Sequence, residues 1–232
     1  MNYPNVQKAA FLARPNRFVA KVLLNGAEET VHVKNTGRCR ELLTPGASVW
    51  LTRSDKPNRK TAYDLIAVEK CGLLVNLDAQ APNHVFREWV ETGAFLPNLT
   101  KIRPEYTHRD SRFDFCLEQG NRRHLVEVKG VTLEEDGVAR FPDAPTERGV
   151  KHINGLIAAR QEGFDCTLCF VVQFSPVRWV EPNDRTHPAF GGALRRAAHA
   201  GVHILALSCA VTPDSLAVNG RVPVRLDADQ QR

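Results

Sequence analysis

The hydrophobic pattern of the chain changes near residue 80, and this change limits the possible folds more than any other feature. Before it, residues 17–75 consist of short apolar runs separated by turn residues, with Asn25-Gly26 between two of the runs. Asn-Gly flanked by alternating apolar residues is a strong signal for a β-hairpin. Five short strands with one brief helical segment at 38–43 predict a small closed barrel, either an OB fold or another five-stranded barrel.

After residue 80, helical and extended patterns alternate. The sequence predicts helices at 81–92, 146–161 and 188–200, and strands at 101–106, 112–118, 124–131, 138–141, 165–174 and 202–208. This order is typical of an α/β domain in which helices flank a mixed β-sheet. We therefore expect two domains, at residues 1–80 and 81–232.

The positive charge is concentrated in the first of these domains. The 232-residue chain has a formal net charge of +5, and residues 1–80 carry 12 Lys/Arg against 7 Asp/Glu. A basic domain beside a neutral one indicates an anionic partner such as nucleic acid. Because the sequence has no recognisable secretory signal, no apolar run of about 20 residues and no disulfide-like cysteine spacing, we expect a cytoplasmic protein without membrane contact.

Two carboxylates and a lysine are predicted to meet on the sheet of the second domain. Glu127 and Lys129 are two residues apart in a predicted strand, so their side chains point to the same face. A short turn at 119–123 would bring Asp114 alongside them from the preceding strand. Ionic groups between apolar neighbours are costly unless they are paired or bind a ligand.

This combination of side chains suits the hydrolysis of phosphodiesters. Mg²⁺ prefers carboxylate oxygens, with water and phosphate completing its coordination. We therefore predict that Asp114 and Glu127 hold Mg²⁺ or Mn²⁺ and that Lys129 orients water or stabilises charge on the phosphate. An ordinary Lys–Glu pair on an exposed sheet face is the alternative interpretation of the same residues.

Four segments resemble the sugar fermentation stimulation protein A family, and they cover nearly the whole chain: VKNTGRCRELLTPG, SRFDF, LVEVKGVTL and FPDAPTERGVKH. The resemblance implies an OB-like N-terminal domain and a C-terminal domain similar to PD-(D/E)XK phosphodiesterases. It also implies DNA binding with little sequence preference and a regulatory role in sugar metabolism, but no settled catalytic activity. The chain departs from the superfamily pattern at one position, because Phe113 precedes Asp114 where a proline is usual.

Further candidates flank this core. Arg148, Lys151 and His152 share one face of the predicted helix at 146–161, where they could hold a phosphate oxygen. Glu147 lies at the start of the same helix, where backbone N–H groups also attract anions. Glu88 and Glu105 are candidates for an additional acidic residue, although glutamates in such places are commonly just surface residues.

The first domain has its own candidates for phosphate contact. Asn35, Thr36, Gly37 and Arg38 form a predicted turn that would bring donors and a close backbone to a phosphate, and Arg40 extends the basic surface. Two functions remain open from the sequence. One is a DNA-binding protein with an Mg²⁺- or Mn²⁺-dependent phosphodiesterase site, and the other is a non-catalytic DNA-binding regulator of sugar-metabolism genes. The sequence leaves the oligomeric state open.

Overall fold

The first half of the chain is a closed β-barrel. The computed structural model describes residues 1–35, 37–54 and 59–227. Its first six strands are β1 (Val6–Asn16), β2 (Val19–Leu24), β3 (Ala27–Val33), β4 (Ser48–Arg53), β5 (Tyr63–Lys70) and β6 (Leu73–Asn76). They run in the order β3-β2-β1-β4-β5-β6, and a parallel pairing of β3 with β5 closes the ring of the first five strands. The predicted barrel is confirmed.

The β2–β3 hairpin shows how the sequence specifies this barrel. Asn25 and Gly26 have φ of 51° and 83°, as a two-residue turn with the twist of a hairpin requires. In the register that this turn sets, the side chains of Ala20 and Val22 on β2 and of Val31 on β3 are fully buried inside the barrel. The Asn-Gly signal therefore identified the turn of this hairpin.

Two expectations for the barrel need correction. Residues 38–43 form turns, not a helical segment, because Cys39 has φ of 45° and the carbonyls of Gly37 and Arg38 accept hydrogen bonds from Arg14. Those carbonyls are the acceptors that a helix would have used. The sequence also gave no indication of β1, which contributes Ala9 and Phe11 to the core.

The second half is a mixed sheet with helices on both faces. The helices are α1 (Ala81–Glu91), α2 (Glu147–Gln161) and α3 (Pro188–His199). The remaining strands are β7 (Lys101–His108), β8 (Ser111–Gln119), β9 (Arg122–Val131), β10 (Leu133–Glu135), β11 (Val138–Phe141), β12 (Asp165–Val172), β13 (Trp179–Pro182), β14 (His203–Thr212) and β15 (Ser215–Arg221). The main sheet has the order β15-β14-β12-β9-β8-β7, and β10, β11 and β13 form a small separate sheet.

The sheet direction explains the hydrophobic pattern of its centre. Strand β12 pairs in parallel with β9 and with β14 and is buried along almost its whole length, as expected for a strand covered on both faces. Helices α2 and α3 pack on one side and α1 on the other. The three predicted helices and the mixed sheet are confirmed, whereas β10, β13 and β15 were not predicted. Among the described residues, no helix has the length and apolar character needed to cross a membrane.

A buried polar network fixes the barrel to the sheet. Gln173, directly after β12, donates to the carbonyl and the side-chain oxygen of Asn76 and to the carbonyl of Asp78 at 2.9–3.1 Å. The buried carboxylate of Asp78 also accepts from Lys34 Nζ at 2.5 Å. Because buried polar groups are costly unless they are satisfied, this network holds the two halves in one arrangement.

Candidate functional site

The site forms where strands β8 and β9 separate. Their ladder ends at the Phe115–Val126 pair. Beyond this pair, the side chain of Asp114 takes the place of a backbone carbonyl of β8 as the hydrogen-bond acceptor for β9. Oδ2 of Asp114 accepts from the Val128 N–H at 2.8 Å, and Oδ1 accepts from Asn83 Nδ2, at the start of α1, at 2.9 Å. The carboxylate of Asp114 is thus fixed between the sheet and the first turn of a helix.

Glu127 is the most deeply buried member of the site. Its side chain is 2% exposed, and Oε1 accepts from Lys129 Nζ at 2.6 Å. The same oxygen contacts Nδ1 of His152, on α2. The second oxygen, Oε2, is buried and has no hydrogen-bond partner among the described residues. A buried carboxylate oxygen without a partner is unfavourable, so this atom marks a place for a cation or a water molecule.

The two carboxylates have opposite electrostatic surroundings. Burial and the charge of Glu127 raise the pKa of Asp114 above its ordinary value. Burial also acts to raise the pKa of Glu127, but the hydrogen bonds from His152 and Lys129 outweigh it, and this pKa is lowered. The protein therefore keeps Glu127 ionised by itself, whereas an additional cation would favour the ionised form of Asp114.

A polar cavity of about 200 Å³ lies over these groups. Glu105 lies opposite Asp114 in the β7–β8 ladder, between the pairs Pro104–Phe115 and Tyr106–Phe113. Arg112 and Arg148 also line the cavity. Nε of Arg148 is 3.4 Å from Nε2 of His152. The cavity therefore combines the carboxylates of Asp114 and Glu127 with exposed charged side chains, of which Arg112 pairs with Glu105 at 3.8 Å.

The structure brings six of the predicted site residues to this cavity: Glu105, Asp114, Glu127, Lys129, Arg148 and His152. It does not bring Glu88 or Glu147 there. Glu88 forms an ion pair with the amino group of Met1 at 2.8 Å, and Glu147 is 87% exposed and pairs with His187 at 3.1 Å. Lys151 is exposed on α2 outside the cavity.

The predicted phosphate-binding loop is organised by an arginine from β1. The guanidinium of Arg14 donates to four backbone carbonyls at 2.6–2.9 Å, those of Arg17, Asn35, Gly37 and Arg38. Arg38 and Arg40 are exposed, and Thr36 lies outside the described residues. Gly37 borders the second domain, because a Cβ at this position would lie 2.7 Å from Oδ2 of Asp143.

The sequence interpretation missed three residues that shape these regions. Arg112 lies two residues before Asp114, and this strand spacing could have identified it. Asn83 is a single polar residue in the first helical turn, and Arg14 is more than 20 positions from the loop that it holds. Neither has a local pattern, because each meets its partners only after the chain has folded.

A complete protein cage for a metal is not present in the described part of the chain. There, no three or more His, Cys, Asp or Glu side chains gather closely enough to hold an ion. Any metal at Asp114 and Glu127 would therefore need further oxygens from water or substrate.

Comparisons with known proteins agree with the two-part architecture. Residues 12–77 match the family model described as the SfsA N-terminal OB domain, and residues 80–215 match the sugar fermentation stimulation protein RE domain. A sugar fermentation stimulation protein homolog from Desulfitobacterium hafniense is 54% identical over 226 residues, covering 97% of this chain and 99% of the relative. One from Clostridium beijerinckii is 47% identical, covering 97% and 100%. The structure of Pyrococcus furiosus SfsA in complex with Ca²⁺ superimposes with a TM-score of 0.88 at 28% identity, covering 97% of this chain and 98% of the other.

Proposed function

Because the chain belongs to the sugar fermentation stimulation protein (SfsA) family, we propose that it binds DNA with little sequence preference and hydrolyses phosphodiester bonds at Asp114 and Glu127. The observation that carries the proposal is the unpartnered, buried Oε2 of Glu127 beside a second carboxylate. In the reaction, water adds to phosphorus and one P–O ester bond breaks, giving a phosphomonoester and an alcohol.

The residues fit Mg²⁺ or Mn²⁺ better than a softer metal. Asp114 and Glu127 supply only carboxylate oxygens, and Mg²⁺ commonly binds one or two carboxylates together with water and phosphate. When bound, such an ion polarises the phosphoryl oxygen and lowers the pKa of its bound water. The P. furiosus relative is a complex with Ca²⁺, which also prefers oxygen ligands, and this supports a hard divalent cation for this chain.

The other side chains of the cavity have separate roles in the proposed reaction. Lys129 is 15% exposed and is held by Glu127, so its ammonium group can orient water or stabilise charge developing on the phosphate. Asn83 holds Asp114 by one oxygen. Arg112 and Arg148 lie where a phosphate entering the cavity would pass, and guanidinium groups bind phosphate through two parallel hydrogen bonds.

DNA binding is proposed chiefly for the barrel. OB folds bind oligonucleotides and related polymers on one face and its loops, and the exposed Arg38 and Arg40 lie on such a loop. The loop borders Asp143 of the second domain, so a strand bound there would also lie against that domain. Because the proposed binding has little sequence preference, the affinity for DNA should depend mainly on phosphate contacts and fall steeply with salt.

The experiment is a cleavage assay with single- and double-stranded oligonucleotides in Mg²⁺ or Mn²⁺. Glu127→Gln keeps the size of the side chain and removes its charge, and we expect it to lose at least about 100-fold in rate, as when an electrostatic catalytic group is removed. Glu181→Gln is the matched control, because Glu181 on β13 is also partly buried and pairs with Arg140 at 2.7 Å, away from the cavity. No cleavage by the wild type, or equal cleavage by Glu127→Gln, contradicts the proposal.

One observation favours a non-catalytic DNA-binding regulator as a second candidate. Oε1 of Glu127 already contacts both Lys129 and His152, so Glu127 and Lys129 could serve only as a structural ion pair. In that case the protein binds DNA, takes up no Mg²⁺ or Mn²⁺ in calorimetry, and binds DNA equally well as Glu127→Gln.

A further inference from the structure

Helix α2 connects the cavity to a second, larger cleft. Arg148, near the N-terminal end of the helix, lines the cavity. Beyond the C-terminal end, a cleft of about 850 Å³ lies between the β8–β9 turn and the loop that leads into β12. Arg148 and Glu162 are 14 positions apart, which corresponds to about 21 Å at the rise of an α-helix.

The second cleft is lined by three arginines and three carboxylates, but two of these carboxylates pair with arginines from outside the lining. Arg103, Arg122 and Arg123 line it together with Glu118, Glu162 and Asp165. Each carboxylate has its own arginine partner: Glu118 with Arg103 at 2.9 Å, Glu162 with Arg109 at 2.8 Å and Asp165 with Arg160 at 3.0 Å. Arg122 takes part in no ion pair within the described ranges, and Arg123 lies 3.9 Å from Glu118. Arg122 and Arg123 are both exposed at the start of β9. They point to opposite sides of the sheet, so an anion that passes the edge of the sheet can reach both.

The helix surface between the two ends does not repel an anion. Residues 148–161 include no Asp or Glu. Arg148 and Lys151 are exposed along this stretch, followed by the exposed Asn154 and Ala158. The partial negative charge of a helix C-terminus would disfavour a phosphate, but the cation of Arg160 lies in the last turn, and the carbonyls of Ala159 and Arg160 accept from the N–H groups of Phe164 and Gly163.

We propose that this surface, the basic track, carries the phosphate backbone of a nucleic acid from the cavity to the second cleft. The basic track consists of Arg148 and Lys151 on α2 and of Arg103, Arg122 and Arg123 at the cleft. Its length of about 21 Å equals about six phosphates along one strand of a duplex. The cleft is polar and open to solvent, which suits a polymer that passes through better than a small enclosed ligand. This inference rests on the proposed function and extends its DNA contact away from the barrel.

The test measures binding of a labelled DNA duplex to the full chain at several salt concentrations. In Arg122→Gln/Arg123→Gln, two phosphate contacts are lost, so we expect about tenfold weaker binding at low salt. The slope of log affinity against log salt should become shallower by about 2, since each phosphate contact contributes about 0.9. The matched control is Arg178→Gln/Arg221→Gln, which removes two exposed cations of the second domain that line neither the cavity nor the cleft, and it should leave both values unchanged.

The outcomes separate this inference from the proposed function. If the wild type binds DNA and the double variant has the same affinity and salt slope, the basic track is wrong and the proposed function stands. If the wild type binds and the slope falls, but no cleavage occurs with either metal, the track is supported and the hydrolytic function fails. A wild-type protein that does not bind DNA overturns both, and an equal loss in the control pair overturns the track, because the effect would then be one of net charge.

Discussion

Gly130 provides a sharp test of the structure, because it follows Lys129 directly and leaves no room for a side chain. A Cβ at this position would lie 2.6 Å from Oε1 of Gln173 and 2.7 Å from Cγ of Pro82, whereas ordinary contacts are about 3.4–4 Å. In Gly130→Ala, one of these neighbours has to move. Gln173 is held by three hydrogen bonds to Asn76 and Asp78, so it cannot move without breaking the network between barrel and sheet.

The expected loss follows from overpacking. Inserting a methyl group into a well-packed interior typically costs about 1–3 kcal/mol of unfolding free energy, and each hydrogen bond lost from Gln173 would add about 0.5–1.5 kcal/mol. For a chain of this size, each kcal/mol lowers the melting temperature by about 2–4 °C. We therefore expect Gly130→Ala to melt several degrees below the wild type.

The assay is thermal and urea unfolding followed by circular dichroism. Gly220→Ala is the matched control, because Gly220 lies on β15 and nothing lies within 4 Å of its added Cβ. If Gly130→Ala unfolds within about 0.5 kcal/mol of the wild type, the size usual for surface substitutions, the close packing of Gly130 against Gln173 and Pro82 is refuted.

Three further predictions concern other parts of the molecule. Burial lowers the pKa of His124 from 6.5 to about 4, so the native ring stays neutral while the unfolded chain takes up a proton. The free energy of unfolding should therefore have its full value above pH 6.5 and fall by up to about 3 kcal/mol towards pH 4. Because His124→Gln lacks this titrating group, its unfolding in urea should depend less on pH. An equal pH dependence of the two proteins contradicts the prediction. Arg14→Gln should lower the free energy of unfolding by about 2–4 kcal/mol, since four carbonyls lose their donor. Trypsin should then cut faster after Arg38 or Arg40, and an unchanged digestion rate argues against the role of Arg14. Asn83→Ala should weaken the proposed binding of Mg²⁺ about 10–100-fold in calorimetry, as removal of a residue that orients a metal ligand commonly does. An unchanged affinity would show that the Val128 N–H alone holds Asp114.

Much of the fold follows from local patterns in the sequence. Asn25-Gly26 specifies the β2–β3 hairpin because both residues tolerate positive φ. Thr146 marks the start of α2, where its side chain accepts from the Gly149 N–H at 3.0 Å. The spacing of Glu127 and Lys129 predicts their contact, because alternate residues of a strand share a face.

The rest depends on contacts between distant parts of the chain. The turn at 38–43 has an amphipathic composition, yet Arg14 takes the carbonyls that a helix needs. Gln173 forms a hydrogen bond with Asn76, which is 97 positions away in the sequence, and no local spacing predicts such a contact. Glu88 was a reasonable acidic candidate from its helix, but which side of α1 faces Asp114 is decided by the packing of that helix against the sheet, and Asn83 occupies that side.

The network around Gln173 also fixes a distance. Because barrel and sheet cannot slide past each other without breaking it, the interval from the Arg38 loop to Asp114 is constant. If the proposed cleavage acts on a strand that is held at both places, the cut would therefore fall at a constant distance from the segment bound by the barrel.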